Sequence, residues 1–384
     1  MNNTKNDNIK ESKLNFPDIL INKISGEISE AKEQIKEGYF DRIKSEYAWL
    51  GIILFALALF GAVINIPCFL SLEAESIFLK IIWRFFVLVI ILLPKAFYDL
   101  SLNLDNLGKI FSSRNLLDLF FLSILNTIWV YMFYYAASHT FAAHTLLLQI
   151  PLMFLCIWKL LRRESTTYLE IIGLATCILG SYLISNDGAT LDRRDIIIGN
   201  IISLSSSILG AVYIKKSSHI IDKEIPSSIF LSLMGIFVIV FSFIFASFLG
   251  ENIVLGSANP KTGIFGLFSS KANFIYGFLG MGFMSGFALY FLSIKASQYI
   301  SPMFVNTTFN TAPFLSQVTC YIVGVQGFPG SFTAYGGFWL FIGCTLLAMN
   351  YEDHKDMSTK FPLYYNLEEN HDEKEMKVML KNVN

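Results

Sequence analysis

Apolar runs of about 20 residues, separated by short polar connections, recur along almost the whole chain, and each is long enough to cross a hydrocarbon core of roughly 30 Å as a helix. They fall at 48–70, 76–97, 116–137, 140–161, 165–185, 196–215, 229–249, 273–294, 299–324 and 332–350. The pattern predicts an all-α integral membrane protein with ten transmembrane helices. The third and fourth runs are parted only by the stretch ASHTF, Ala137 to Phe141, so eight or nine spans is a competing count.

Charge decides between the counts, because cytosolic flanks of membrane helices are enriched in Lys and Arg. With ten spans and both tails cytosolic, the inner flanks hold Lys36, Arg42, Lys44, Lys95, Lys109, Arg114, Lys159, Arg162, Arg163, Lys215, Lys216, Lys223, Lys295, Lys355 and Lys360. The outer connections hold only Arg193, Arg194, Lys261 and Lys271, and the arginine pair lies among Asp187, Asp192 and Asp195. Removing one span would scramble this asymmetry. Composition agrees with the membrane reading. Of 384 residues 54% are hydrophobic and only 15% charged, against roughly 25% charged in soluble domains, too few to clothe a water-facing surface.

The tails, 1–46 and 351–384, are polar. Ile21, Ile24, Ile28, Ala31 and Ile35 recur at helical spacing, which predicts an amphipathic helix on the membrane surface or on a partner; a solvated helix is the alternative. The C-terminal tail reads as disordered. Its YYNL, Tyr364 to Leu367, fits a tyrosine-based sorting pattern that arises often by chance. No cleavable signal peptide is expected, and the first span serves as the targeting signal. Cys68, Cys156, Cys177, Cys320 and Cys344 all fall inside spans without metal-ligand spacing, as small packing residues do.

An internal repeat is visible. Ala137–Ser138 leads to a mid-span Pro151, and Ala296–Ser297 leads to a mid-span Pro313. Anchored on the prolines, His144 corresponds to Asn306, Thr145 to Thr307 and Gln149 to Thr311. The chain thus divides into a first five-helix repeat at 47–185, a linker at 186–195 and a second five-helix repeat at 196–350. An odd number of spans per repeat makes the two halves inverted, an architecture that serves alternating access around a midplane site.

The order of spans, the Ala-Ser turn before a proline-centred helix, the basic KLLRRES (Lys159 to Ser165) and the closing EIIGLATCILGSYLI (Glu170 to Ile184) resemble the drug/metabolite transporter superfamily, in its EamA-like branch. The resemblance covers roughly 47–350. It implies that the fourth and ninth helices line a central substrate cavity. The second half departs from the family pattern at Val323 to Ser331, which lacks the acidic residue usual after the ninth helix.

The candidate binding residues follow from polarity inside the spans. A mid-span proline leaves the carbonyl four residues earlier without a donor, Leu147 for Pro151 and Phe309 for Pro313, and bends the helix. His144, Thr145, Leu148 and Pro151 share a face on the fourth helix; Asn306, Asn310 and Pro313 share one on the ninth. Thr307 and Gln149 lie beside them. The competing role for each is hydrogen bonding between helices, at about 0.6 kcal/mol per bond. Arg84 lies eight residues into the second span, where an unpaired charge costs at least about 2.5 kcal/mol. Lys80, one turn earlier, reads as a snorkelling side chain. For Arg84 the alternatives are a cavity-facing cation that binds carboxylate or phosphate and an ion pair with Glu73 or Glu75.

Gly282 with Gly286, and the run Ser203 to Gly210, provide close helix packing, within one chain or in a homodimer. The histidines at 139, 144, 219, 354 and 371 are scattered, without HExxH, and no Walker-type loop is present. The expected function is a secondary transporter of a small metabolite, anionic or phosphorylated if Arg84 binds it, with a membrane enzyme and a non-transporting scaffold or receptor as alternatives. Its expected partners are that substrate and the lipid bilayer; no cofactor, metal or nucleic acid is expected.

Overall fold

A computed structural model describes residues 48–104, 107–163, 166–187, 193–221, 225–296, 299–300, 305 and 308–353. The expected amphipathic helix, the sorting pattern, Asn306 and Thr307 lie outside them. The chain falls into two units, Met1–Trp49 and Leu50–Asn384; the packing described below belongs to the second.

The main helices are α1 (Ala48–Ser71), α2 (Ile77–Leu102), α3 (Ser113–His139), α4 (Ala142–Leu161), α5 (Tyr168–Ser185), α6 (Arg193–Ile221), α7 (Ser227–Phe248), α8 (Asn273–Ala296), α9 (Ala312–Val323) and α10 (Ser331–Asp353). α8 is wound as a π-helix over Asn273–Leu292. No strand occurs among the described residues, only an isolated bridge between Val254 and Gly263 in the α7–α8 connection.

Local sequence explains the helix ends. Ser76 and Ser112 accept from the backbone N–H of Leu79 and Asn115, capping α2 and α3. Thr167 and Glu170 form a reciprocal capping box at α5. Gly324, at φ 78°, terminates α9 in the left-handed conformation.

Eight of these helices are long and apolar enough to cross a membrane. Their outer faces are apolar: α5 exposes Ile171, Ile172, Ile178, Leu179 and Tyr182, and α1 exposes Ile52, Ile53, Leu57 and Phe60. So much uncovered hydrocarbon does not occur on a soluble monomer. The chain is an integral, multi-pass membrane protein.

Hydrogen bonds sort the connections between two ends. At one, called upper here, Glu75 of the α1–α2 connection meets Lys261 of the α7–α8 connection at 3.0 Å. There too Asp187, after α5, accepts from Thr333 N at 3.0 Å, and Gln326, after α9, accepts from Ala142 N at 2.9 Å. At the other, lower end, Ser228 of α7 donates to Asp99 of α2 at 2.5 Å, and Lys159 pairs with Glu170 across the α4–α5 turn at 2.6 Å.

Glycines set the closest helix contacts. A Cβ on Gly180 would stand 2.7 Å from Gly336 O, and one on Gly336 2.7 Å from Gly180 O, so α5 and α10 meet backbone to backbone. Gly282 receives Val87 of α2, where a Cβ would lie within 2.5 Å of Val87 Cβ. Ser203, Ser206 and Ser207 of α6 are fully buried, and Gly210 sits on the indole of Trp129. Both small-residue stretches are therefore used inside the chain.

The fourth and ninth spans differ from the bent helices expected. α4 is two helices, Ala142–Leu147 and Pro151–Leu161, with Leu148–Ile150 out of helix between them. Pro151 is the first residue of the second piece, and Ile150 before it is pushed to φ −118°, ψ 73°, because a residue preceding proline avoids the helical region. In the ninth span the long described helix begins only at Ala312, with Pro313 in its first turn, where the missing N–H does no harm.

Candidate functional site

Between the helices lies a cavity of about 560 Å³, within the range of small-molecule sites. Every main helix except α5 contributes to its wall, and both Pro151 and Pro313 line it. From Asn65 of α1 and Arg84 of α2 it extends to the lower halves of the helices, at Ser217 of α6, Phe230 and Leu231 of α7, Ser293 and Ile294 of α8, and Phe341 and Cys344 of α10. The lining is mostly apolar, with a few polar groups: Asn65, Arg84, Gln149, Ser217, Tyr290, Ser293 and Asn310.

Arg84 is the cation of this wall. It is 2% exposed. Its Nη1 donates to Tyr134 Oη at 2.5 Å and its Nη2 to Ser285 O at 2.7 Å. Tyr134 in turn donates to Asn65 Oδ1 at 2.7 Å, so three helices fix the guanidinium. The ring of Tyr290 lies 5.2 Å from Cζ, at cation–π range. Among the described residues Nε has no partner and no carboxylate forms an ion pair with Arg84. The ion pair with Glu73 or Glu75 is not made: Glu75 is taken by Lys261, and Glu73 is exposed.

Gln149 and Asn310 also reach the cavity. Gln149 stands in the break of α4, where Oε1 accepts from Trp129 Nε1 at 3.0 Å and Nε2 donates to Ser203 O at 3.1 Å and to Ser206 Oγ. The side-chain amide thereby supplies bonds to α3 and α6 that the interrupted helix cannot.

Three candidates lie elsewhere. Lys80 does not snorkel and does not line the cavity: it is buried, its Nζ donates to Phe69 O at 2.9 Å and it sits 4.4 Å above the Phe69 ring. That carbonyl belongs to the last turn of α1, whose acceptors have no helical donor. Thr145 turns back on its own helix, donating to Phe141 O at 3.2 Å, while its carbonyl accepts from Ser203 Oγ at 2.8 Å. His144 is fully buried above the cavity, between Thr140 Oγ1 at 3.2 Å from Nδ1 and Thr333 Oγ1 at 2.6 Å from Nε2. The shared face drawn through His144, Thr145 and Pro151 assumed an unbroken helix, and the break resets the register.

Several residues of the site went unnoticed in the sequence. Tyr134, Tyr290 and Asn65 frame Arg84; of these, Asn65 alone carried a signal, as an amide within an otherwise apolar run. Gln317 and Gln326 cap α4 from outside. Ala143 N donates to Gln317 Oε1 and Ala142 N to Gln326 Oε1, both at 2.9 Å, at a helix start whose N-cap, Phe141, has no side-chain oxygen to offer. No cluster of three metal-ligating side chains exists among the described residues.

The sequence matches no protein-family model, and no curated protein matches it.

Proposed function

We propose that the protein is a secondary transporter of the EamA-like kind within the drug/metabolite transporter superfamily, moving a small anionic metabolite by alternating access between two inverted five-helix halves. The observation that carries the proposal is the cavity, with Arg84 set in its wall and not neutralised by any described carboxylate. A guanidinium with donors to spare in an apolar, water-poor site favours a carboxylate or phosphate strongly. Aromatic rings beside it suit a planar or apolar remainder.

The inverted-halves reading draws support from the packing pattern. Exchanging helix n with helix n+5 leaves the pairs α2–α7, α4–α9 and α5–α10 unchanged and turns α2–α8 into α3–α7, all of which are contacts. It also turns α3–α6 into α1–α8, where Gly61 packs against Met284 O, and α4–α6 into α1–α9, where Ala62 and Val63 meet Ala312. On the charge asymmetry, the lower end faces the cytosol. The cavity is then on the cytosolic side of a closed upper end.

A thermal-shift screen of the detergent-purified protein against anionic, neutral and cationic metabolites tests the proposal, since a ligand of the folded state raises the melting temperature by mass action. The expected result is stabilisation by one class of anion, read as a shift from each protein's own ligand-free melting temperature, lost in Arg84→Gln and reduced in Asn310→Ala. Equal stabilisation of wild type and Arg84→Gln removes Arg84 from the site.

A further inference from the structure

The polar side chains around the cavity divide into those already engaged by the protein and those left over. Trp129 Nε1 donates to Gln149 Oε1 at 3.0 Å, and Gln149 Nε2 donates to Ser203 O and Ser206 Oγ. Tyr213 Oη donates to Met234 Sδ at 2.9 Å, and Ser217 Oγ to Ile214 O at 3.1 Å. The single hydroxyl hydrogen of Ser293 points to Leu289 O at 2.5 Å. Of the five N–H groups of a guanidinium, Arg84 uses two, on Tyr134 Oη and Ser285 O, which leaves three. Among the described residues, no hydrogen bond engages Asn65 Nδ2, Tyr290 Oη or the Asn310 side chain. Two of these stand beside Arg84: Tyr134 links Asn65 to it, and the Tyr290 ring lies 5.2 Å from its Cζ. The unused donors therefore gather around the one charged residue among those that line the cavity.

We propose that the cavity takes an amphipathic monoanion, with one carboxylate seated on Arg84 and an apolar, aromatic body reaching down between the lower halves of the helices. This deepens, and rests on, the reading of the cavity as an anion-transport site. Charge count is the first argument. No Asp or Glu is among the residues that line the cavity, and Arg84 is its single cation. One negative charge brings the site to neutrality. A dianion would leave one buried negative charge without a partner, and an amino acid would leave its ammonium without a carboxylate, both costly away from water.

The rest of the wall is the second argument. Phe133, Phe230, Phe309 and Phe341 line the cavity, together with Trp129 and Tyr213, whose polar atoms are already engaged. Such a lining receives an aromatic ring through edge and face contacts. It offers little to a sugar or a nucleotide, whose hydroxyls would leave water and find few partners. Donors on one side and rings on the other thus select for a ligand that is itself divided, with a charged head and an apolar body.

The test is a thermal-shift titration of the purified full chain with benzoate, phenylacetate, 3-phenylpropanoate and 4-phenylbutanoate, each beside its primary amide, and with phenylalanine, phenyl phosphate and glucose 6-phosphate. Along the acid series the Kd should fall by about fourfold per added methylene, the value of burying one such group. Each amide should bind at least about tenfold more weakly than its acid, having lost a charged partner for Arg84, and Arg84→Gln should level that difference. Phenyl phosphate at mildly alkaline pH, where it is a dianion, should bind more weakly than 3-phenylpropanoate. Cys344→Phe, which fills part of the cavity, should remove the advantage of the longer acids and leave benzoate binding in place. A Kd that stays flat along the acid series overturns the inference, as does phenylalanine or glucose 6-phosphate binding as tightly as 3-phenylpropanoate. Tight binding of glucose 6-phosphate that depends on Arg84 would leave the anion-transport reading standing. No shift with any of these acids overturns the inference alone; the anion-transport reading falls only if the wider screen of anions fails as well.

Discussion

Replacing Tyr134 by Phe removes one oxygen and leaves the ring in place, stacked on Phe69 at 4.2 Å between centroids and 11° between planes. The oxygen accepts from Arg84 Nη1 at 2.5 Å and donates to Asn65 Oδ1 at 2.7 Å. A hydrogen bond to a charged group is worth about 1.5–3 kcal/mol and one between neutral groups about 0.5–1.5 kcal/mol. Since no water-filled bulk replaces the lost partner of a 2% exposed guanidinium, the expected loss of stability is about 2–4 kcal/mol. Reversible denaturation in mixed micelles measures it, with Tyr321→Phe on an exposed ring as the control. In an Arg84→Met background only the bond to Asn65 remains to be lost, so the same change should cost about 1 kcal/mol. A Tyr134→Phe cost below about 0.5 kcal/mol, within the ordinary scatter of surface substitutions, would refute the reasoning. So would an equal cost with and without Arg84.

Gly180→Val should destabilise the fold by about 1–3 kcal/mol, as overpacking does, because the obstructing atoms are Gly336 O and Leu340 N, which no rotamer can move; Gly256→Val, where a Cβ meets open space, is the control in the same denaturation assay. Lys159→Met should cost on the order of 2 kcal/mol at neutral pH, less than a fully buried broken pair because the lysine is 25% exposed while Glu170 is 5% exposed; Glu170→Gln in the same background should restore part of that loss. Of the five buried cysteines, Cys344 alone lines the cavity, so a small maleimide should label it roughly tenfold or more faster than the others in the folded protein. Mass spectrometry of the labelled peptides reads the order, and a bound substrate should slow the reaction at Cys344.

Eight membrane-length helices are legible in the sequence because the bilayer sets a minimum length for an apolar run, and the last two runs overlap shorter apolar helices at Ala312–Val323 and Ser331–Leu347. The α3–α4 boundary came through as well: ASHTF contains Thr140 and Phe141, the two residues that end α3 and start α4. Arg84 was legible for the same reason, as a charge where the surrounding pattern forbids one. His144 takes the hydrogen-bonding role between helices and does not share a face with Pro151, because a helical face can be projected only as far as the helix continues, and this one stops at Leu147. Asp187 read as one acid among several in a polar connection. What makes it special is Thr333, 146 residues away, and no local pattern connects the two. The caps supplied by Gln317 and Gln326 escape for the same reason: both serve a helix start more than 170 residues earlier.

The measurement that tests the central claim most directly is uptake of labelled metabolites into liposomes reconstituted with the purified chain, comparing wild type with Arg84→Gln at equal reconstitution. The account predicts saturable uptake of at least one small carboxylate or phosphate, without ATP, falling by at least about tenfold in the variant, the factor that 1.4 kcal/mol of lost substrate binding represents. Transport of neutral or cationic compounds at the same rate by both proteins would contradict it.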